Sequence, residues 1–284
     1  MADIKTLVDD IYATLEGRGG WTGTIGSIMG DSIAIMANQR FSKPQEPRRY
    51  LSLSSVGSDC KRKLWYRINS DEHQETPKGS DLLKFFYGDM IEELVLSLVE
   101  ASGHDLKGQQ DRLDCYGIKG HRDCVIDGMT VDVKSASPFS FNKFKESKLK
   151  DDDPFGYLSQ LSSYVSAAQD DPLVTNKTHG AFLVVNKVSG EIVLDVHDLS
   201  DRIDNKEEEI AAAKTMVAGP MPTTRLDPVP QDKKRPDGNM KLCTSCSFCS
   251  HKKECWPEAR TFQYSFGPVT LTKVVSEPRV PEVT

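Results

Sequence analysis

The chain is expected to fold as an α/β protein, a mixed sheet flanked by helices, with a cysteine-cluster module attached. Three observations lead there. Segments with apolar residues at helical spacing alternate with short β-forming runs joined by tight turns. Four of the seven cysteines fall within Cys243–Cys255. At 284 residues, with 38% hydrophobic and 27% charged residues, the chain can bury a sizeable core.

Residues 2–16 place Ile4, Leu7, Val8, Ile11 and Leu15 near a 3.6-residue period, and Arg18-Gly-Gly20 ends that helix. Residues 21–47 offer little chemistry. Leu51–Asn69 reads as one helix with Ser54 or Ser55 near its N-cap. Asp81–Glu100 is the clearest helix, with a stripe of Leu83, Tyr87, Met90, Leu94 and Leu98, and Gly103 follows it. Strands are expected around 111–134. Within them Gly120–Ser135 reads as a hairpin about Asp127-Gly128, because a type I′ turn needs positive φ at both central residues. Asp151–Gln169 is a helix capped by Asp153 with Pro154 at its first position. Gly180–Lys187 and Glu191–His197 form a second hairpin about Ser189-Gly190, and Ser200–Val217 is a charged helix. Pro220, Pro222, Pro228, Pro230 and Pro236 mark an extended connector to Gly238. The cysteines follow, then a tail with scattered β-formers.

The hairpin fixes a register: Ile126 faces Met129, Val125 faces Thr130, Cys124 faces Val131 and Asp123 faces Asp132. Opposed residues share one face, and Lys134, two residues past Asp132, projects from it too. Two carboxylates and an ammonium thus converge. Alone, an Asp-x-Lys is most often a solvated salt bridge. A hard divalent cation takes one or two carboxylates, which Asp123 and Asp132 supply, and the carbonyl of Val133 adds an oxygen. Lys134 is placed to orient or deprotonate a water and to steady charge at phosphorus. Glu92 or its neighbour Glu93 reaches toward the metal from the long helix. Gln160 and Tyr164, at i and i+4, share a helix face and hydrogen-bond a phosphate or base edge. Without context these are a solvated glutamate and a half-buried amphipathic face.

Net charge is −6, which argues weakly against indiscriminate nucleic-acid binding. Yet Arg48–Arg67 carries Arg48, Arg49, Lys61, Arg62, Lys63 and Arg67 against Asp59 alone, a local +5. No apolar run approaches the roughly 20 residues that span a bilayer. The acidic, amphipathic N-terminus lacks the pattern of a secretory signal. A reducing, cytoplasmic compartment follows, and in it Cys243-x2-Cys246-x2-Cys249-x5-Cys255 points to zinc or an iron–sulfur cluster rather than to disulfides. The cramped spacing fits a zinc knuckle poorly. Cys115 and Cys124 fall on expected strands and read as core residues.

Taken together, Gly88…Glu92, Gly120…Asp123, Asp132-Val133-Lys134 and Gln160…Tyr164, in this order, resemble the PD-(D/E)XK nuclease superfamily, in its RecB-like exonuclease branch. Many relatives carry histidine where this chain has Glu92. The resemblance implies a restriction-endonuclease-like core over 48–218, preceded by an N-terminal helical region (1–47). A Pro-rich connector (219–238), a cysteine module (239–260) closing onto Cys60 and a C-terminal tail (261–284) follow. It implies Mg²⁺ or Mn²⁺ at Glu92, Asp123 and Asp132, with Lys134, Gln160 and Tyr164 in the catalytic set. Iron–sulfur members, including AddB and CRISPR-associated nucleases, place one cysteine before the core and a C-x2-C-x5-C group after it. A 4Fe–4S cluster on Cys60, Cys246, Cys249 and Cys255 follows, with Cys243 as the substitute for Cys60 and zinc as the lesser alternative. Lys187 corresponds to a further basic position in some members, joining Arg62, Lys63 and Arg67 as DNA contacts.

The function so implied is a metal-dependent DNA exonuclease acting on ends or single strands in recombination, repair or phage DNA metabolism. The setting is a bacterial cytoplasm, the chain being of bacterial or bacteriophage origin. No Walker A sequence is present, so ATP-driven unwinding requires a helicase or recombination partner. Two other readings compete: a non-catalytic nucleic-acid-binding protein with a zinc or iron–sulfur module, and a structure-specific endonuclease with the same site.

Overall fold

The structure is a computed structural model that describes residues 3–42, 48–70 and 77–283. In chain order the helices and strands are α1 Leu7–Ala13, α2 Gly23–Phe41, α3 Leu53–Val56, α4 Lys61–Asn69, α5 Gly79–Ala101, β1 Leu106–Lys107, β2 Arg112–Cys115, β3 Ile118–His121, β4 Cys124–Ile126 and β5 Met129–Ala136. They continue with α6 Pro138–Lys145, α7 Tyr157–Ala167, β6 His179–Asn186, β7 Ile192–Asp198, α8 Ser200–Asp204 and α9 Lys206–Ala218. The C-terminal part holds β8 Val229–Pro230, β9 Met240–Lys241, α10 Thr244–Ser247, α11 Lys252–Cys255, β10 Arg260–Tyr264, β11 Gly267–Lys273 and β12 Glu282–Val283.

The chain divides into two compact units. Of the described residues, 3–42, 51–57 and 77–211 form the first, and 48–50, 58–70 and 212–283 the second. The sequence reading kept residues 48–218 together; here α4 groups with the C-terminal residues instead.

In the first unit the sheet order is β1-β4-β5-β6-β7, with β5 and β6 parallel and the other pairs antiparallel, so the sheet is mixed. Helices cover both faces. Val131 and Val133 of β5 pack with Leu7, Ile11, Val95 and Val99 from α1 and α5. On the opposite face Phe182 and Val184 of β6 pack with Phe141, Phe144, Leu158 and Leu161 from α6 and α7. Strand side chains alternate, so Asp132 and Lys134 lie on the face away from Val131 and Val133. The hairpin closes as its sequence requires: Asp127 and Gly128 have φ of 48° and 78°, and Cys124, Val125 and Ile126 pair with Val131, Thr130 and Met129. Cys115 and Cys124 are buried, as expected of core residues.

Several elements depart from the sequence reading. Residues 23–41 form a 19-residue helix beyond the sequence reading; none of its residues is fully buried, and Ile25, Met29, Ile33 and Met36 are half-buried. It lies along α5, with Phe41 edge-on to Phe86 at 5.0 Å and Arg40 Nε donating to Asp89 at 2.7 Å. The expected stripe of α5 is mostly exposed at Leu83, Tyr87 and Leu94; the helix is buried at Val95, Leu96, Leu98 and Val99. Residues 51–69 are two helices, and the first is capped at Ser52, whose N–H donates to Ser55 Oγ at 3.0 Å. The helix expected from Asp151 starts at Tyr157; Asp153 nonetheless caps it, accepting from Tyr157 N at 2.9 Å and Leu158 N at 2.8 Å. Ser200–Ala218 breaks at Asn205 into α8 and α9.

In the second unit the connector and tail are not merely extended. Val229–Pro230 from the connector, Met240–Lys241 ahead of the cysteines and three C-terminal strands build a five-stranded sheet of order β12-β10-β11-β9-β8. The connector is tied to α4 where Trp65 Nε1 donates to Gly219 O at 2.9 Å.

Candidate active site and thiol cluster

Strand β5 carries the centre of the site. Asp132 is fully buried, and its Oδ1 accepts from Gln160 Nε2 at 3.1 Å. The same Nε2 donates to Tyr164 OH at 3.0 Å, so one amide group of α7 ties the carboxylate to the phenol. Among the described residues Asp132 Oδ2 makes no directed hydrogen bond and is met by the Lys134 ammonium in an ion contact. The Lys134 ammonium also lies 5.6 Å from the centre of the Tyr157 ring.

Asp123 reaches this patch differently from the expectation. The ladder ends at Cys124–Val131, so Asp123 is not a strand residue opposed to Asp132. Its Oδ2 instead accepts the Val133 backbone N–H at 2.8 Å, which turns the carboxylate toward β5. The glycine three residues earlier has a steric reason: a Cβ on Gly120 would stand 2.8 Å from Leu53 Cβ. From α5, Glu92 presents Oε1 to Gln110 Nε2 at 2.8 Å. At its neighbour Glu93, Ser32 acts against the burial-driven rise in pKa, and of the two it is Glu92 that the charges of Lys134 and Asp132 reach.

The electrostatics follow from gathering a buried Asp132 and half-buried Glu92 and Asp123 beside one base. Burial pushes Glu92 up to about 7, with Asp132 and Asp89 adding to the rise and Lys134 opposing it. Burial, and then the Asp132 charge, hold Asp123 well above the usual carboxylate range. Burial alone would depress Lys134, but Asp132 and Asp123 outweigh it and raise it above an ordinary lysine. With both aspartates charged and facing it, Lys134 is held as an ammonium. Burial and the two aspartates also keep Tyr164 a neutral phenol.

A pH dependence follows. A buried acid with a raised pKa binds its proton more tightly in the folded than in the unfolded chain, so stability falls as pH rises between the two values. For Glu92 that window runs from 4.5 to about 7. The melting temperature of metal-free protein is expected to drop as pH rises through this window, and Glu92→Gln is expected to flatten the slope. An unchanged slope in the variant would refute the assignment.

Hard oxygen donors match a hard divalent cation. Asp132 Oδ2, buried without a directed donor, and the mutual repulsion of three carboxylates fit such an ion at Glu92, Asp123 and Asp132. As they stand, no three His, Cys, Asp or Glu side chains among the described residues close into a ready metal cage.

In the second unit Cys246, Cys249 and Cys255 are buried, Cys60 and Cys243 half-buried, and none is in a disulfide. Burial raises Cys246, Cys249 and Cys255 above an ordinary thiol, and the charge of Cys60 adds to all three. Cys243 acts in this way on Cys246 alone of the three. Cys60 sits at the start of α4, where its Sγ accepts from Lys63 N at 3.4 Å. Among the described residues these thiols too stand outside any ready metal cage; as soft donors they are the type a four-thiolate cluster takes.

The expected DNA contacts divide. Arg62 is buried, donating to Tyr66 OH at 2.8 Å, so it is a packing residue and not a surface contact. Tyr66 in turn stacks on His251 at 5.4 Å. Lys63 and Arg67 are half-buried, and Lys187 is exposed. The Lys187 backbone N–H donates to Ala136 O at 3.0 Å, which places it at the end of β5. Sequence reasoning missed Gln110, Arg122 and Tyr157; no spacing rule singles them out, because each matters through a contact distant in sequence. Among the described residues no helix is long and apolar enough to cross a membrane.

No known protein family matches the chain, and no curated protein does. Among solved structures, that of SSO0001 aligns with a TM-score of 0.42 at 12% identity, covering 79% of this chain and 94% of that one. That likeness is too slight to bear on function.

Proposed function

We propose that the chain is a metal-dependent DNA exonuclease with a PD-(D/E)XK core. The observation that carries the reading is the meeting of Asp123, Asp132 and Lys134, from the hairpin, with Glu92 from α5 and Gln160 and Tyr164 from α7. Glu92, Asp123 and Asp132 would hold Mg²⁺ or Mn²⁺. When bound, that ion polarises the scissile phosphate and lowers the pKa of a water. Gln160 fixes the rotamer of Asp132 through Oδ1 and leaves Oδ2 for the ion. Lys134, charged and facing the same carboxylate, stabilises negative charge on a phosphoryl oxygen. Tyr164, kept a phenol, accepts from Gln160 and retains its own O–H as a donor. Lys187, at the end of β5, attracts the phosphate backbone, and Lys63 and Arg67 do the same on the second unit.

Within the second unit, Cys60, Cys246, Cys249 and Cys255 would hold a 4Fe–4S cluster, linking α4 to the C-terminal residues in a structural role. A brown protein absorbing near 400 nm would support this, and a colourless protein prepared without oxygen would refute it.

The decisive experiment digests end-labelled linear DNA and closed circular DNA with Mg²⁺ or Mn²⁺, comparing the wild type with Asp132→Ala. Short products from linear DNA alone, absent with the variant or a chelator, are expected. Cleavage of the circle would instead indicate an endonuclease, and binding without turnover a non-catalytic module.

A further inference from the structure

We propose that Gln110 is a positioning residue of the acidic site, holding Glu92 and Asp123 in fixed relation to each other. The proposal rests on the metal-site reading above. Glu92 and Asp123 come from different elements, and neither approaches the other through the chain. Gln110 bridges them. Its backbone N–H donates to Asp123 O at 3.0 Å, while its side-chain Nε2 donates to Glu92 Oε1 at 2.8 Å.

The backbone of Gln110 is itself unusual. Its φ is +55°, in the left-handed region that a residue with a Cβ seldom occupies. Such a conformation persists where its surroundings over-determine it, and it concentrates at functional sites. Here the surroundings are visible. Arg122, almost wholly buried, donates from Nε to Gly108 O at 3.3 Å and from Nη2 to Asp111 Oδ2 at 2.7 Å. The Arg122 N–H also donates to Asp111 O at 3.1 Å. The turn carrying Gln110 is thus clamped on both sides, and the amide arrives at Glu92 already oriented. Groups that orient metal-ligating carboxylates typically change metal affinity 10–100-fold when removed.

The test measures Mn²⁺ binding to the full chain by calorimetry, without DNA, beside thermal melting. Gln110→Gly is the informative variant. Glycine adopts this φ without cost, so the turn and the N–H bond to Asp123 survive while the amide is lost. We expect Gln110→Gly to bind Mn²⁺ about 10–100-fold more weakly at a melting temperature equal to or above that of the wild type. Gln110→Ala should lose similar affinity and also melt lower. Binding within about twofold of the wild type in Gln110→Gly would overturn the proposal while leaving the metal site intact. A wild type that binds no Mn²⁺ would overturn the proposal and the metal-site reading together.

Discussion

Replacing Lys134 with methionine is expected to slow DNA cleavage by about 100- to 1,000-fold, the usual cost of removing one preorganised group that stabilises transition-state charge. Methionine approximates the length of the lysine stem, so packing against Tyr157 survives while the charge is lost. The same change removes the counter-charge that Asp132 Oδ2 has among the described residues, in a fully buried position. Removing one partner of a buried ion pair typically costs about 3–5 kcal/mol, because the other charge is stranded. On the proposed metal-site reading, a bound divalent ion would take over that neutralising role. The stability loss should therefore be large in chelator and small in millimolar Mg²⁺. Parallel digestion and melting experiments in the two buffers check both halves. Cleavage at the wild-type rate would refute the role of Lys134, and an equal stability loss in both buffers would refute an ion at Asp132.

The second large effect lies at a residue with no catalytic role. Arg122→Leu is expected to destabilise the chain by about 3 kcal/mol, at the low end for breaking a buried ionic network. Arg122 is almost wholly buried between Asp171, at 2.6 Å, and Asp111, at 2.7 Å, and it also holds Gly108 O. The low end applies because Asp111 is about half exposed and Asp171 partly so; water can solvate both once the arginine is gone. Urea denaturation at neutral pH measures the difference. A change under about 1 kcal/mol would mean that the guanidinium is replaceable by solvent and packing.

How much of this was legible in the sequence depends on the range over which each signal acts. The Asp127-Gly128 turn, the alternation of Val131, Asp132, Val133 and Lys134, and the i, i+4 pair Gln160 and Tyr164 are local, and each stands where its spacing put it. For Asp123 the hairpin register is an incomplete account. The register brought it close, but its orientation comes from the Val133 N–H and lies outside the ladder. The stripe of α5 failed because an apolar period shows that a helix has an apolar face, not that a core lies against it. Residues 23–41 carry Ile25, Met29, Ile33 and Met36 at helical spacing, half-buried in the structure, but Gly23, Gly26 and Gly30 among them mask the helix, because glycine disfavours helical backbone. Gln110 and Arg122 had no local signature at all; one acts across 18 positions to Glu92 and the other across 49 to Asp171.

The mixed strand directions of the first sheet carry a consequence for how the site is assembled in time. Asp132 and Lys134 stand on β5, which pairs with β4 across a two-residue turn, a closure that costs little chain entropy. Gln160 and Tyr164 lie in the crossover that must wrap before β6 pairs alongside β5, with Thr130 opposite Gly180, fifty positions on. Such long-range parallel pairing is intrinsically the slower event. On this topology the charged half of the site forms early and the half that orients Asp132 arrives late. A chain interrupted before the crossover docks would carry the acids and the lysine without the groups that aim them.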